Sequence, residues 1–376
     1  MRFSFSEEQE ELRRVVRRFL ETTSPIGEVR RLMETPEGYE PAVWKQLSQE
    51  LALPGVHIPE MYGGQGFGFV ELGVVLEEMG RALYCGPYFA SVVMAANAIL
   101  NAGSEAQKQA LLPGISAGET LATLALAEPG GHWDVSGVAL EARSEGNTWT
   151  LHGEKSLVID GCAADLFVVA ARAPESRGAD GVSLFTLRAN TKGLTRRPLD
   201  VIDPTRKLAR LVFNGTRAEP LGEIGAAAPA LAKTLAQAAT ALANEMVGSG
   251  QRLLDMTVDY AKARVQFGRP IGSFQAIKHK CADMLLELEL ARSSAYYAAE
   301  AASEDSDELP AVASLAKAQG SDAFLHIAAE SIQIHGGLGF TWEQDVHLFF
   351  KRAKASEVFL GDPDWHRENL AQAWGL

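Results

Sequence analysis

The chain has 376 residues, 47% hydrophobic and 22% charged, with a formal net charge of −13. That is enough length and apolar content for several packed layers, and none of the composition of a disordered protein. The acidic balance excludes a general nucleic-acid or membrane-surface binder, because both need a basic face, so an anionic ligand requires a local basic pocket.

The N-terminal segment MRFSFSEEQEELRR carries acids where a signal peptide has a positive region and an apolar core. No apolar run reaches the ~18 residues of a membrane span, and a cytoplasmic protein is expected. Residues 5–22 set Leu12, Val15, Val16, Phe19 and Leu20 at helical spacing, and Ser6 followed by Gln9 makes a capping box. Helical patterns continue over 41–50, 67–81, 87–102 and 105–112, so 1–118 reads as an N-terminal helical domain. Over 119–224 the texture changes to short runs such as TLATLALAEP, ADLFVVAARA, GVSLFTLRA and KLARLVFNG, punctuated by Gly, Asn and Asp. They predict a central antiparallel, barrel-like β-domain of about seven strands. Helical periodicity returns over 230–265, 273–303, 309–334, 343–355 and 367–374, and 225–376 reads as a C-terminal four-helix bundle. The fold class is α+β. The acidic stretch at 303–308 is a solvated loop. Cys85, Cys162 and Cys281 are odd in number and lack metal-ligand spacing, so they read as small buried hydrophobes rather than a disulfide or zinc set.

The long run 230–265 is the organising element, on the order of 54 Å if helical throughout. Between Lys233 and Arg252 it holds one charge, Glu245, among Ala238, Ala239, Ala241, Leu242, Ala243, Met246 and Val247. Such a helix is buried on every side, and a carboxylate inside it must be paired, shifted in pKa or placed next to chemistry. Two readings stand: a boundary glutamate in water or on an arginine, and a functional base.

Two loops in the same third offer ligand contacts. The run Arg264-Val265-Gln266-Phe267-Gly268-Arg269-Pro270 combines guanidinium, aromatic plane and Gly-Pro turn. That set suits a nucleotide, and it equally suits a helix C-cap with Gly268 in the left-handed region. The run Gln333-Ile334-His335-Gly336-Gly337-Leu338-Gly339 lets backbone approach a ligand, or makes a plain turn; it is not a dinucleotide fingerprint. His132, His335 and His366 show no triad or metal spacing and read as loop or core residues.

The order of helices, then AEPGG at 127–131 in a strand domain, then YAKARVQFGRPIGSFQAIKHKCADM at 260–284, then QIHGGLGFTWEQDVHLFFKRAK at 333–354 resembles the acyl-CoA dehydrogenase family over nearly the whole chain. The resemblance implies bound FAD, usually a tetramer, and removal of the α-proton of an acyl-CoA thioester by a carboxylate while the β-hydrogen leaves as hydride to flavin. It carries the FAD adenine and pyrophosphate contacts onto Arg264, Phe267, Gln275, Gln333, Ile334, Gly336 and Gly337, partly across a subunit interface. On the isoalloxazine side the family's Thr-Glu-Pro-Gly is Ala127-Glu128-Pro129-Gly130 here, Trp133 stands for a serine, and Leu157-Val158-Ile159 for Trp-Ile-Thr.

The catalytic positions depart further. The family's Tyr-Glu-Gly-Thr is Phe359-Leu360-Gly361-Asp362 here, and its second location for the base falls at Ala238. Glu245 lies seven residues beyond Ala238, within about 20° of the same helical face. It is therefore the expected base, ahead of Glu357, Asp362 and Asp364. The displaced base is similar to that of members acting on steroid side chains or other bulky acyl groups, some of them heterotetramers. The expectation is an acyl-CoA dehydrogenase, homotetrameric or paired with a second such chain, passing electrons to electron-transfer flavoprotein or a similar acceptor. The alternative is a catalytically degenerate subunit of a heteromer. An oxidase of related fold ranks last.

Overall fold

The computed structural model describes residues 5–146 and 148–376; residues 1–4 and Asn147 lie outside the described residues. Six helices come first: α1 (Glu7–Thr23), α2 (Ile26–Met33), α3 (Pro41–Gln49), α4 (Phe69–Arg81), α5 (Ala96–Ala102) and α6 (Glu105–Ser116). Strands follow as β1 (Ala122–Ala125), β2 (Glu141–Glu145), β3 (Thr148–Ile159), β4 (Leu166–Arg172), β5 (Val182–Arg188), β6 (Leu194–Pro198) and β7 (Leu208–Leu221). The last third holds α7 (Ala228–Ala263), a two-stranded ribbon of β8 (Val265–Gln266) and β9 (Arg269–Pro270), then α8 (Gln275–Ser303), α9 (Leu309–His335), α10 (Val346–Val358) and α11 (Pro363–Ala373). The predicted capping box forms: Ser6 Oγ accepts from Gln9 N and Gln9 Oε1 from Ser6 N. Only α2 went unpredicted among these helices, and the segment before α5 is a π-turn over Phe89–Ala95.

Contacts divide the chain into two compact units. The first comprises 1–30, 69–84 and 239–376. Here α8 and α10 pack on α9, with α11 on α9 and α1 on α4, and the part of α7 from residue 239 joins them through Asn244 to α8 and Glu245 to α10. Helices α4 and α7 cross at backbone contact. A Cβ at Gly80 would stand 2.0 Å from the Glu245 carbonyl oxygen, and one at Gly248 1.7 Å from that of Glu77. Only glycine permits that approach. Ser249 Oγ donates to the Gly80 carbonyl at 2.9 Å and fastens the crossing. The segment expected to be a mere solvated loop has a second task, since Ser303 Oγ accepts from Phe69 N and Val70 N and so caps α4.

The second unit comprises 31–68 and 85–238. Its seven-stranded sheet runs β1-β4-β2-β3-β7-β5, with β6 on β7 and a further β4–β5 pairing that closes it into a barrel. Leu151, Phe167, Phe185, Leu211 and Phe213 fill the interior, each worth roughly 1.5–3 kcal/mol of burial. The expectation of a wholly antiparallel sheet needs correcting, because β1 and β2 each pair with β4 in parallel. The β2–β3 hairpin intervenes between β1 and β4, and a connection that long permits the crossover a parallel pair requires.

Candidate functional site

Glu245 lies on α7 one turn before the Gly248 crossing and is 4% exposed. Its Oε1 accepts from Arg352 Nη1 of α10 at 2.7 Å, and Arg352 is 2% exposed. Of the two readings left open for this carboxylate, an arginine partner is present. Arg352 was missed in the sequence, where it sits among Lys351 and Lys354. The usable signal was periodicity: Phe349, Arg352, Ala353 and Ser356 form the buried stripe of α10.

A second acid cluster, also unpredicted, lies on α4. Glu77 and Glu78 are 4% and 2% exposed in a stretch buried from Leu72 to Gly80. Arg17 grips Glu78 with two hydrogen bonds of 2.8 and 2.7 Å, and Arg13 reaches both acids. Arg292 and Tyr296 of α8 donate to the two oxygens of Glu77 at 2.6 and 2.7 Å. Burial, followed by the Glu77 charge, pushes the Tyr296 phenol up to about 12.

The segment matching the family's usual base is built rigidly and carries leucine at the base's own position. Leu360 is buried with φ at 62°, a strained conformation for a leucine. His366 Nε2 donates to its carbonyl at 3.0 Å, the tautomer that a carbonyl acceptor requires. Lys317 of α9, 0% exposed, donates to the carbonyls of Glu357 and Gly361 at 3.0 and 2.9 Å and to Ser321 Oγ at 2.9 Å. Burial lowers this ammonium to about 7, and His366 to about 3. Ser321 Oγ in turn sits 3.9 Å from Met246 Sδ, so α9 links this segment to the turn of α7 that bears Glu245. The other acids considered are engaged elsewhere: Glu357 with Lys354, Asp362 as the cap on Trp365 N, Asp364 with Arg367.

At one end of the same unit lie the loops expected to hold a nucleotide. Tyr260 of α7 stacks on His335 of α9 at 4.1 Å and donates to its carbonyl at 3.4 Å, tying the two helix ends together. Beyond α7 the chain forms the β8–β9 hairpin, with Phe267 at φ 53° and Gly268 at φ 78°. Two left-handed residues are what a tight hairpin turn needs, so Gly268 serves this turn and not the helix C-cap. Phe267 is 90% exposed, and Arg264, Gln275 and Gln333 are exposed too. Ile334 is buried and can offer only backbone. A Cβ at Gly336 or Gly337 would meet nothing within 4 Å. Exposed guanidinium, aromatic face, amides and open glycine backbone are the groups a flavin nucleotide's adenine and pyrophosphate require.

In the second unit, Ala127 is 1% exposed and its carbonyl accepts from Ser156 N at 2.8 Å. Next to it Glu128 Oε1 accepts from Ala139 N and Leu140 N, and from Lys155 Nζ at 2.6 Å. Lys155 is 0% exposed, and burial, opposed by Glu128, lowers it to about 8. Leu157 takes φ 54° where β3 bulges between Lys155 and Val158. The bulge and the Glu128–Lys155 pair therefore shape the segment by backbone geometry, while Ala127 contributes no side-chain hydrogen bond.

A separate cleft of about 320 Å³ in the first unit is lined by Arg17, Ser24, Arg81, Arg252 and Phe349, among others, and not by Glu245. Among the described residues no group of His, Cys, Asp and Glu could hold a metal ion, and no helix is long and apolar enough to cross a membrane.

The sequence matches three family models, described as the acyl-CoA dehydrogenase N-terminal domain over 6–119, middle domain over 123–215 and C-terminal domain over 228–375. Among curated relatives it is 34% identical to the acyl-CoA dehydrogenase IpdE2 of Mycolicibacterium smegmatis, over 97% of each chain. Among solved structures it superposes on butyryl-CoA dehydrogenase from Megasphaera elsdenii with a TM-score of 0.92 at 29% identity, over 100% of both chains. It superposes on the Tcur3481-Tcur3483 steroid ACAD with a TM-score of 0.89 at 30% identity, over 98% of both. The chain belongs to the acyl-CoA dehydrogenase family of FAD-dependent oxidoreductases acting on CH–CH donors.

Proposed function

We propose that this acyl-CoA dehydrogenase uses Glu245 as the base that removes the α-proton of its acyl-CoA. The observation that carries the reading is the position of Glu245: a buried carboxylate on the α7 face shared with Ala238, where both positions the family uses for its base, Ala238 and Leu360, are inert. A positioned general base contributes ~10²–10⁴ in rate. The α C–H bond breaks and its proton passes to the Glu245 carboxylate, while the electron pair left on the α-carbon forms the new double bond. The chemistry FAD supplies is acceptance of the β-hydrogen with its electron pair. Arg264, Phe267, Gln275, Gln333, Gly336, Gly337 and the Ile334 backbone would hold its adenine and pyrophosphate, and Ala127 would offer the flavin its backbone.

The remaining parts of the reading are a bulky acyl group, steroid side chain included, electron-transfer flavoprotein or a similar acceptor, a homotetramer or heterotetramer, a cytoplasmic location and domain boundaries at 118/119 and 224/225. The bulky-substrate element leans on the displaced base and the steroid ACAD likeness, against the short acyl group of the butyryl-CoA enzyme. The test is the visible spectrum of the purified chain under anaerobic addition of butyryl-CoA and a steroid side-chain acyl-CoA. A yellow protein bleached by one of them supports the reading. Glu245→Gln should then keep the colour and lose the bleaching; undiminished bleaching would remove Glu245 as base.

The second reading, a degenerate subunit of a heteromer, is favoured by the Glu245–Arg352 ion pair itself, which a purely structural glutamate would also make. A chain that is colourless alone and yellow only when co-expressed with a partner decides for it.

A further inference from the structure

We propose that Arg352 is the positioning residue of the reaction, holding the Glu245 carboxylate in place for the α-proton. This rests on the reading of Glu245 as base. The geometry is specific: Nη1 to Oε1 is 2.7 Å, and the two groups come from different helices and are 2% and 4% exposed. Each helix is itself fixed. The Gly80 and Gly248 contacts hold α7 at the next turn, and Phe349, Ala353 and Ser356 bury the face of α10 around the arginine.

The chemical need is equally specific. A buried carboxylate left without a counter-charge is costly, and one without a fixed donor is free to leave the geometry that proton transfer needs. A guanidinium stays cationic across the working pH range and presents its donors in a rigid planar fork. During the reaction the carboxylate gains the substrate's α-proton: one C–H bond breaks, one O–H bond forms, and the arginine's own protons do not move. Other charges on the packed helices have their own partners. Glu77 and Glu78 of α4 are held by Arg13, Arg17 and Arg292. Lys317 of α9 donates to Ser321 and to the carbonyls of the 357–361 segment.

The decisive experiment is anaerobic stopped-flow bleaching of the flavin-loaded protein, which reads acyl-CoA binding and the bleaching rate separately. Arg352→Gln should keep its flavin and bind acyl-CoA as wild type does, yet bleach about 10²-fold slower, with the rate partly restored in Arg352→Lys. Loss of binding and of rate together would mark structural damage and overturn the proposal. A folded Arg352→Gln that bleaches at the wild-type rate also overturns it. Should Glu245→Gln keep its bleaching activity, the base assignment fails instead.

Discussion

Two buried acid clusters meet at the α4–α7 crossing, and they are built to different ends. Glu77 and Glu78 are enclosed by Arg13, Arg17, Arg292 and the Tyr296 hydroxyl, which come from α1 and α8 and lock those helices onto α4. Glu245 is matched to Arg352 of α10, on the α7 face where this family's chemistry is read. The contrast teaches that burial and an arginine do not by themselves make a catalytic acid. The first cluster is surrounded by donors from α1 and α8 and behaves as a joint. The second ties an α7 acid to an α10 guanidinium, and it is the one proposed above to meet the substrate.

The sharpest way to break the comparison is to neutralise each acid with the isosteric amide and measure both turnover and stability. Glu245→Gln is expected to lower the bleaching rate roughly 10²–10⁴-fold while keeping flavin. Glu77→Gln is expected to do the reverse: Arg13 and Arg292 lose a buried counter-charge, the urea unfolding free energy falls by ~3–5 kcal/mol, and turnover per folded molecule holds. Equal losses of turnover in both would erase the distinction.

A smaller effect sharpens it. Replacing the whole second pair, as Glu245→Leu with Arg352→Met, is expected to leave the fold neutral to ~1–4 kcal/mol more stable, because two buried charges disappear together. Activity is lost all the same. A large destabilisation of that double variant would instead make the pair a structural joint like the first.

The smallest expected effect concerns Lys317. Its folded-state value of about 7 lies below the usual 10.5, so between these values the unfolded chain binds the extra proton. Its burial cost is therefore present in full below about pH 7 and relieved as pH rises toward 10.5. Urea midpoints of wild type and Lys317→Met at pH 7 and pH 9 check this: the difference between them should shift in favour of wild type at pH 9.

Much of the architecture was legible in the chain. The switch of hydrophobic period near residues 118 and 225 marks where strands begin and end. The capping box at Ser6 and Gln9 forms as read, and Glu245 stands out because a single charge in an apolar helix is a visible anomaly. Helix α2 escaped because eight residues give too few turns for periodicity to register. The parallel pairings of β1 and β2 with β4 escaped because alternation reports which face a strand buries, not which neighbour it takes. Phe267 and Gly268 were read as a possible helix end, and their hairpin was not seen, since a two-residue strand carries no pattern of its own.

The sequence by itself determined the order of elements, the all-round burial of α7 and the solitary charge within it, because these follow from local spacing and from the cost of burying charge. Only the tertiary structure decided the partners. That Glu245 meets Arg352, 107 positions away, that Glu77 meets Arg292, and that Lys317 clasps the 357–361 segment are facts of how helices pack. The close crossing at Gly80 and Gly248 is likewise a fact of packing, since only the fold brings those two glycines against the carbonyls of Glu245 and Glu77.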